Sequence, residues 1–168
     1  MQIREATDAD WASIWPFFHE ITAAGETFAY PTDLDEPTGR AMWMVRPPGH
    51  VVVAVNRSGL VLGTANMYAN KMGPGSHIAS GSFMVDPKHQ GRGVGGALCR
   101  YLLGWSREQG FRGVQFNAVA ASNTHAVHLY ESLGFEVMTT IPEGFHHPTL
   151  GYVGLHIMYV KLEASEES

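Results

Sequence analysis

The sequence has little cysteine, little charge and no long apolar run, and each shortage excludes a class of protein. The single cysteine, Cys99, excludes an intrachain disulfide and is typical of a reducing compartment. No apolar run reaches the roughly 18 residues that a membrane span needs, and the polar start of the chain does not resemble a secretory signal. We therefore expect a cytoplasmic protein with no membrane partner.

Charged residues make up only 16% of the 168 residues, and the formal net charge is -5. General nucleic-acid binding needs a basic face that neutralises phosphates, so the negative balance argues against nucleic acid as a partner. Protein surfaces that another subunit covers are depleted in charge. The low charged fraction therefore favours a homodimer.

Strand and helix patterns alternate along one continuous domain, residues 1–162, followed by an acidic tail, residues 163–168. Alternating or β-rich apolar segments predict strands at 2–5, 50–56, 60–68, 77–85, 113–119, 135–141 and 152–162. Apolar residues at helical spacing predict two helices before residue 45, a third that ends at Gly110 and a fourth that ends at Gly134. This order is typical of an α/β or α+β domain with one mixed sheet.

The most informative segment is a glycine-rich turn, Gln90–Gly96, which follows a predicted strand and opens a helix. Glycines leave backbone N–H groups accessible, and the helix N-terminus adds partial positive charge. Arg92 supplies a full charge beside them. The segment, called the glycine turn below, therefore predicts a phosphate-binding site.

The spacing of Gly91, Gly93 and Gly96 also matches the dinucleotide fingerprint, so a nicotinamide oxidoreductase is an alternative. That fingerprint places its first glycine directly after the strand and a carboxylate at the end of the next strand. Here residues 86–90 intervene, and the next strand ends in 116–119 without a carboxylate. The surroundings thus count against a nicotinamide cofactor.

Two blocks resemble one family. The run Gln90-Gly91-Arg92-Gly93-Val94-Gly95 matches the Q/R-x-x-G-x-G/A signature of the GNAT acetyltransferases, and residues 123–135 resemble that family's N-x-x-A-x-x-L-Y-E-x-x-G-F block. Residues 26–28 and 144–147 resemble the phosphinothricin-acetyltransferase-like branch. The resemblance implies a GNAT fold: a central mixed, mostly antiparallel sheet of about seven strands, flanked by about four helices.

The resemblance also implies an N-acetyltransferase that uses acetyl-CoA as co-substrate and moves the acetyl group directly to the amine of a small molecule, such as an amino acid or its analogue. A CoA-binding sensor without turnover and a protein or peptide amine acetyltransferase are alternatives. Tyr130 matches the family tyrosine that protonates the leaving thiolate. The residues implied to bind CoA are Met84, Val85, Gln90, Gly91, Arg92, Gly93, Val94, Gly95, Gly96, Asn123 and Tyr130.

No general base is identified with the same clarity. The phosphinothricin branch often carries a glutamate where this chain has Ser80, which cannot act as a base. The substitute candidates are His77, Glu26 and His147, of which His147 is favoured for the substrate pocket. The catalytic set is therefore Tyr130, His77 and Glu26, and a water chain is a further possibility.

The acceptor site is predicted from residue type and from the branch pattern. A strand flanked by apolar residues should bury the Asn117 amide, which would then brace the sheet or bind the acceptor. His147 matches the branch's G-F-x-H pattern. The candidate substrate-binding residues are Glu26, Phe28, His77, Asn117 and His147.

Nine histidines raise the question of a metal site. His125 and His128 are three residues apart on a predicted helix, and His146 and His147 are adjacent. Neither pair belongs to a ligand set with the spacing of a zinc site. We expect no metal.

Overall fold

The computed structural model describes residues 1–163, so all of the predicted acidic tail except Glu163 lies outside the described residues. Within the described chain, seven strands and four α-helices are present, as predicted. They are β1 Gln2–Glu5, α1 Trp11–Ala24, α2 Glu36–Trp43, β2 His50–Val55, β3 Val61–Ala69, β4 Ile78–Val85, α3 Val94–Glu108, β5 Gly113–Ala120, α4 Thr124–Ser132, β6 Glu136–His147 and β7 Gly151–Lys161.

The strands form one sheet in the order β1-β2-β3-β4-β5-β7-β6. Every neighbouring pair is antiparallel except β4 and β5, which are parallel. A parallel pair needs a crossover connection, and α3 provides it. The sheet is therefore mixed and mostly antiparallel, which confirms the predicted fold class.

Strands β4 and β5 are paired only at their beginnings. Ile78 faces Gly113 and Ala79 faces Val114, and no further pairs join these two described strands. The pairing of β5 with β7 shifts register between Phe116 and Val119, just beyond the point of separation. The sheet consequently opens into a gap at the carboxyl ends of two parallel strands, the place where open α/β sheets generally bind ligands.

Each face of the sheet has its own apolar core. On one face, α3 packs Val94, Leu98 and Leu102 against the sheet, and on the other face α1 and α2 pack an aromatic cluster that includes Phe18 and Trp43. All five of these side chains are almost completely buried. These two cores fix the helices on either side of the gap between β4 and β5.

Gly81 in β4 serves this packing. A first side-chain carbon at Gly81 would overlap the backbone oxygen of Asn66 and the side chain of Leu102. The glycine is therefore needed so that α3 and β3 can approach β4 closely. Its pairing with Met67 is regular, so no bulge occurs there.

No helix among residues 1–163 is long and apolar enough to cross a membrane.

Candidate active site

The glycine turn adopts the backbone conformation that its sequence requires. Gly91 and Gly93 have φ angles of 75° and 79°, in the left-handed region that favours glycine, and Gly93 is the N-cap of α3. A first side-chain carbon at either position would meet no atom within 4 Å. Before the turn, the Asp86 carboxylate accepts a hydrogen bond from the Lys88 N–H at 3.0 Å. The turn thus presents uncovered backbone at a helix N-terminus.

A cleft of about 970 Å³ runs from the glycine turn through the gap between β4 and β5 to the loop that precedes α2. Its size is within the range of small-molecule and cofactor sites. The predicted CoA residues that line it are Met84, Val85, Gln90, Gly91, Gly93, Val94, Gly95, Gly96, Asn123 and Tyr130. Arg92 is exposed on the turn and does not line the cleft.

Asn123 sits where the cleft meets α4. Its side-chain oxygen accepts a hydrogen bond from the Ala126 N–H at 3.4 Å, which caps the helix. The residue also lines the cleft. One side chain therefore fixes the start of α4 and borders the site.

Tyr130 extends from α4 towards the gap between the strands. Its ring packs against Phe116 and Phe135, with centroid distances of 4.8 Å and 5.9 Å, and against Phe83 at 5.9 Å. Burial raises the pKa of its hydroxyl well above the ordinary value, and the nearby Cys99 thiol raises it further. Because a raised pKa keeps the phenol protonated, Tyr130 is suited to donate a proton.

The inner end of the cleft, called the inner chamber below, lies on the α1 and α2 side of the sheet. It is built from the loop between α1 and α2 and from strands β3, β4 and β5. Its lining residues include Thr27, Phe28, Tyr30, Tyr68, Ser80, Ser82 and Asn117. Phe28 and Tyr30 stack on each other at 5.5 Å, and burial raises the pKa of the Tyr30 hydroxyl.

Asn117 is exposed, so the expectation of a buried amide is wrong. The physical reason is that β4 and β5 have already separated at this position, which leaves the side chain facing the cleft. Its amide donates to the Asn70 Oδ1 at 2.7 Å and accepts from the Asn70 Nδ2 at 3.3 Å. Gln115 Nε2 donates to the same Asn117 oxygen at 3.0 Å.

Three candidate residues lie outside the cleft. Glu26 and His77 are exposed, and neither lines it. His147 ends β6, where its Nδ1 accepts from the backbone N–H groups of Thr149 and Leu150 at 3.2 Å and 3.1 Å. That histidine holds the turn between β6 and β7 and does not line the cleft.

Sequence reasoning missed several lining residues, among them the polar residues Tyr68, Ser82, Arg100 and His125. Arg100 carried a local signal, since it follows Gly96 by one helical turn and therefore shares its face of α3. Tyr68 and Ser82 are on adjacent strands with nothing in their sequence surroundings to mark them. They can be found only once the register of β3 and β4 is known.

The residues that line the cleft in the described chain include no aspartate and no glutamate. Residues 1–163 also contain no group of three or more histidine, cysteine, aspartate or glutamate side chains that could hold a metal ion. The chemistry of the cleft must therefore come from backbone N–H groups, hydroxyls, amides, Arg100 and His125.

Comparison with known proteins identifies the family. The model of the acetyltransferase (GNAT) family matches residues 15–135, a span that includes the glycine turn, both separating strands and α4. The chain belongs to the GNAT acetyltransferase family. The resemblance inferred from the glycine turn and residues 123–135 is thereby confirmed, and so is the assignment as an N-acetyltransferase.

Two relatives match this chain over most of its length. A GCN5-related N-acetyltransferase from Kribbella flavida is 55% identical, with 96% of this chain and 97% of that chain covered and a TM-score of 0.93. The L-amino acid N-acyltransferase MnaT of Escherichia coli is 28% identical over 145 residues, which cover 85% of this chain and 84% of MnaT.

Two further relatives match this chain over very different lengths. The yncA structure from Salmonella typhimurium, solved with its cofactor acetyl-CoA, is 24% identical, with a TM-score of 0.85 and coverage of 100% and 97%. The N-acetyltransferase aca1 of Schizosaccharomyces pombe is 36% identical over 75 residues, 45% of this chain. The match to aca1 spans only 36% of that protein.

Proposed function

We propose that this protein transfers the acetyl group of acetyl-CoA directly to the amine of a small molecule. The observation that carries the proposal is one continuous cleft that joins the glycine turn, the gap between β4 and β5, and Tyr130. The binding of acetyl-CoA by the related yncA structure supports the choice of co-substrate.

The outer part of the cleft fits the CoA moiety. Backbone N–H groups of residues 91–96 at the start of α3 would bind its pyrophosphate, since glycine leaves them accessible and the helix N-terminus attracts anions. The unpaired edges of β4 and β5 would bind the extended pantetheine arm, and Asn123 borders the same channel. When bound there, acetyl-CoA supplies a thioester as the acetyl donor.

Two groups of this chain would assist the transfer. The backbone N–H at or near Val85 lies at the end of β4, where no strand pairs with it on the cleft side, and can stabilise negative charge on the thioester oxygen. Tyr130 would protonate the departing thiolate, since its hydroxyl is held protonated by burial.

The single cysteine takes no part in this scheme. Cys99 is buried, and burial raises the pKa of its thiol to about 12. A thiol in that state is a poor nucleophile at neutral pH. This supports direct transfer to the amine over a route through an acetylated cysteine.

The acceptor would occupy the inner chamber, with Phe28 as an apolar wall and Asn117 as a hydrogen-bonding group. The relative MnaT acts on L-amino acids, which supports an amine of similar size. Glu26, His77 and His147 lie outside the lining of the cleft and are given no part in this proposal.

A homodimer is proposed through the β6–β7 hairpin. Strand β6 is at the edge of the sheet, and its residues are exposed except for Phe145 and His147. Apolar side chains exposed on this hairpin are Val137, Met138, Ile141, Leu150 and Tyr152. An uncovered apolar edge of this kind favours association.

Light scattering of the wild type and of Ile141→Glu tests the proposed homodimer. A dimeric wild type and a monomeric variant are expected, and a monomeric wild type would contradict the proposal.

The test of the function combines binding with turnover. Acetyl-CoA and CoA should raise the melting temperature of the purified protein, whereas NAD and NADP should not, because ligands stabilise the state that binds them. Release of free CoA thiol on addition of amines then separates an enzyme from a sensor. Binding of acetyl-CoA without thiol release by any amine would contradict catalysis, and a shift with NAD alone would contradict the cofactor.

A further inference from the structure

The inner chamber carries no charged side chain. Its described lining consists of aromatic rings, hydroxyls, one amide and the aliphatic side chains of Ile21 and Ala29. The basic residues that line the cleft, Arg100 and His125, are on α3 and α4. They lie beside Gly96 and Asn123, at the CoA end of the cleft. A carboxylate that enters a partly dry site without a cationic partner is strongly disfavoured. The chamber therefore selects against acceptors with a free carboxylate.

Asn117 defines what the chamber can recognise instead. Its side-chain oxygen already accepts hydrogen bonds from Asn70 and Gln115, and one of its two N–H groups donates to Asn70. An amide nitrogen carries two hydrogens, so one N–H is left for a ligand. A single neutral donor of this kind suits a carbonyl oxygen on the acceptor.

The chamber also lacks a group that can take a proton from an ammonium ion. The titratable side chains that line it are the phenols of Tyr30, from the loop before α2, and Tyr68, from β3, while α1, β4 and β5 contribute none. The phenol of Tyr130, from α4, lies where the chamber meets the CoA end of the cleft. A neutral phenol is not a base for an amine. The acceptor must consequently arrive with its amine already unprotonated.

This requirement favours weakly basic amines. An α-amino group next to an amide has a pKa of about 8, and at pH 7.5 about a quarter of it is neutral. An alkyl amine such as a lysine side chain has a pKa of about 10.4, so roughly one molecule in a thousand is neutral at that pH. An acceptor of the first kind can react without an enzymic base.

We propose that the preferred acceptor is an α-amino amide, in which the carbon beside the amine carries a neutral amide carbonyl bound by Asn117. The proposal rests on the acetyltransferase function above. In the transfer, the amine nitrogen forms a bond to the acetyl carbon and the carbon–sulfur bond breaks. Tyr130 gives a proton to the sulfur, the amine loses one proton to solvent, and solvent restores the proton of Tyr130.

The decisive experiment compares L-leucinamide, L-leucine and the tripeptide Leu-Gly-Gly at pH 7.5 with saturating acetyl-CoA. We expect kcat/KM for leucinamide to exceed that for leucine by about tenfold or more, since leucine brings both an uncompensated carboxylate and a more basic amine. The tripeptide distinguishes two kinds of α-amino amide. A rate equal to that of leucinamide would show that peptide N-termini are accepted, and a much lower rate would show that the acceptor is a small amide. Both results for the tripeptide support an α-amino amide as the preferred acceptor.

Two results would overturn it in distinguishable ways. A higher kcat/KM for leucine than for leucinamide would refute the amide preference while leaving the acetyltransferase function intact. Thiol release with other amines but with none of these three compounds would also refute the amide preference, whereas thiol release with no amine, in protein that binds acetyl-CoA, would refute the proposed function itself.

A variant pair tests the role of Asn117. Asn117→Ala should raise the KM for leucinamide about tenfold, the value of one hydrogen bond of about 1.4 kcal/mol, and leave the KM for acetyl-CoA unchanged. Gln109→Ala removes an exposed amide at the end of α3, outside the cleft, and should change neither. Because Asn117 is exposed, its loss should not unfold the protein. An unchanged KM for leucinamide would overturn the proposal.

Discussion

The two ends of the cleft are built in different ways. At the CoA end, the groups proposed to bind the pyrophosphate belong to one continuous segment, the glycine turn, with its accessible backbone. At the inner chamber, the lining side chains come from a loop and three strands that are distant in sequence. Backbone recognition fixes a short sequence pattern, whereas side-chain recognition leaves the residue types free to change.

This difference separates what is common to the family from what is particular to this chain. The glycine turn matches the family signature, and the family model covers it. The chamber instead has Ser80, where the related branch often has a carboxylate, and Asn117 in a neutral amide network. The first end therefore indicates the class of reaction, and the second end indicates the acceptor.

The largest expected effect tests the backbone at the CoA end. Gly93→Val should lower the affinity for acetyl-CoA by about 100-fold or more, because the side chain would occupy the open space through which the pyrophosphate approaches the N–H groups. Isothermal titration calorimetry with acetyl-CoA measures the loss.

Gly110→Val is the matched control for that substitution. Gly110 has a φ of 82° and open space around it, like Gly93, but it follows the end of α3 and does not line the cleft. Both variants should carry similar backbone strain of about 1–2 kcal/mol, so both should melt at lower temperature. Equal loss of acetyl-CoA affinity in the two variants would show that strain, and not blockage of the turn, is the cause.

The next effect concerns the point where the two ends of the cleft meet. Tyr130→Phe should lower kcat by about 100-fold, a typical contribution of a general acid, and change the KM for acetyl-CoA little, because the ring keeps its packing on Phe116 and Phe135. Steady-state thiol release measures both constants. Tyr101→Phe, which removes a hydroxyl bonded to His50 outside the cleft, should leave kcat unchanged.

The pH dependence of kcat is a second test of Tyr130 as the general acid. Because burial raises the pKa of its hydroxyl, the protonated donor persists to higher pH than an ordinary tyrosine, whose pKa is about 10. The wild type should therefore show no alkaline fall in kcat below about pH 10. A fall near pH 8 or 9 that is absent in Tyr130→Phe would mean that the hydroxyl ionises easily and is not held as an acid.

The sequence predicted the CoA end of the cleft better than the inner chamber. The reason is that the glycine turn is one local segment, whereas the residues of the chamber are distant in sequence. The strand count and the mixed sheet follow from local patterns, and the family resemblance implied most lining residues of the CoA end. Of the residues implied to bind CoA, Arg92 is exposed and does not line the cleft. The exposure of Asn117 could not be predicted, since it depends on where β4 and β5 separate. Tyr68 and Ser82 were missed because strand register, a long-range property, brings them into the chamber.

The smallest expected effect tests whether the chamber works without a base. Glu26→Gln and His77→Gln should each keep kcat/KM within about twofold of the wild type, because both side chains are exposed and outside the cleft. The wild-type kcat/KM should rise with pH until the acceptor amine is fully unprotonated, and both variants should follow the same curve. A tenfold loss in either variant, together with a shifted pH curve, would place a base at the inner chamber. The two ends of the cleft would then differ only in where their residues lie in the sequence, and not in the kind of chemistry that they use.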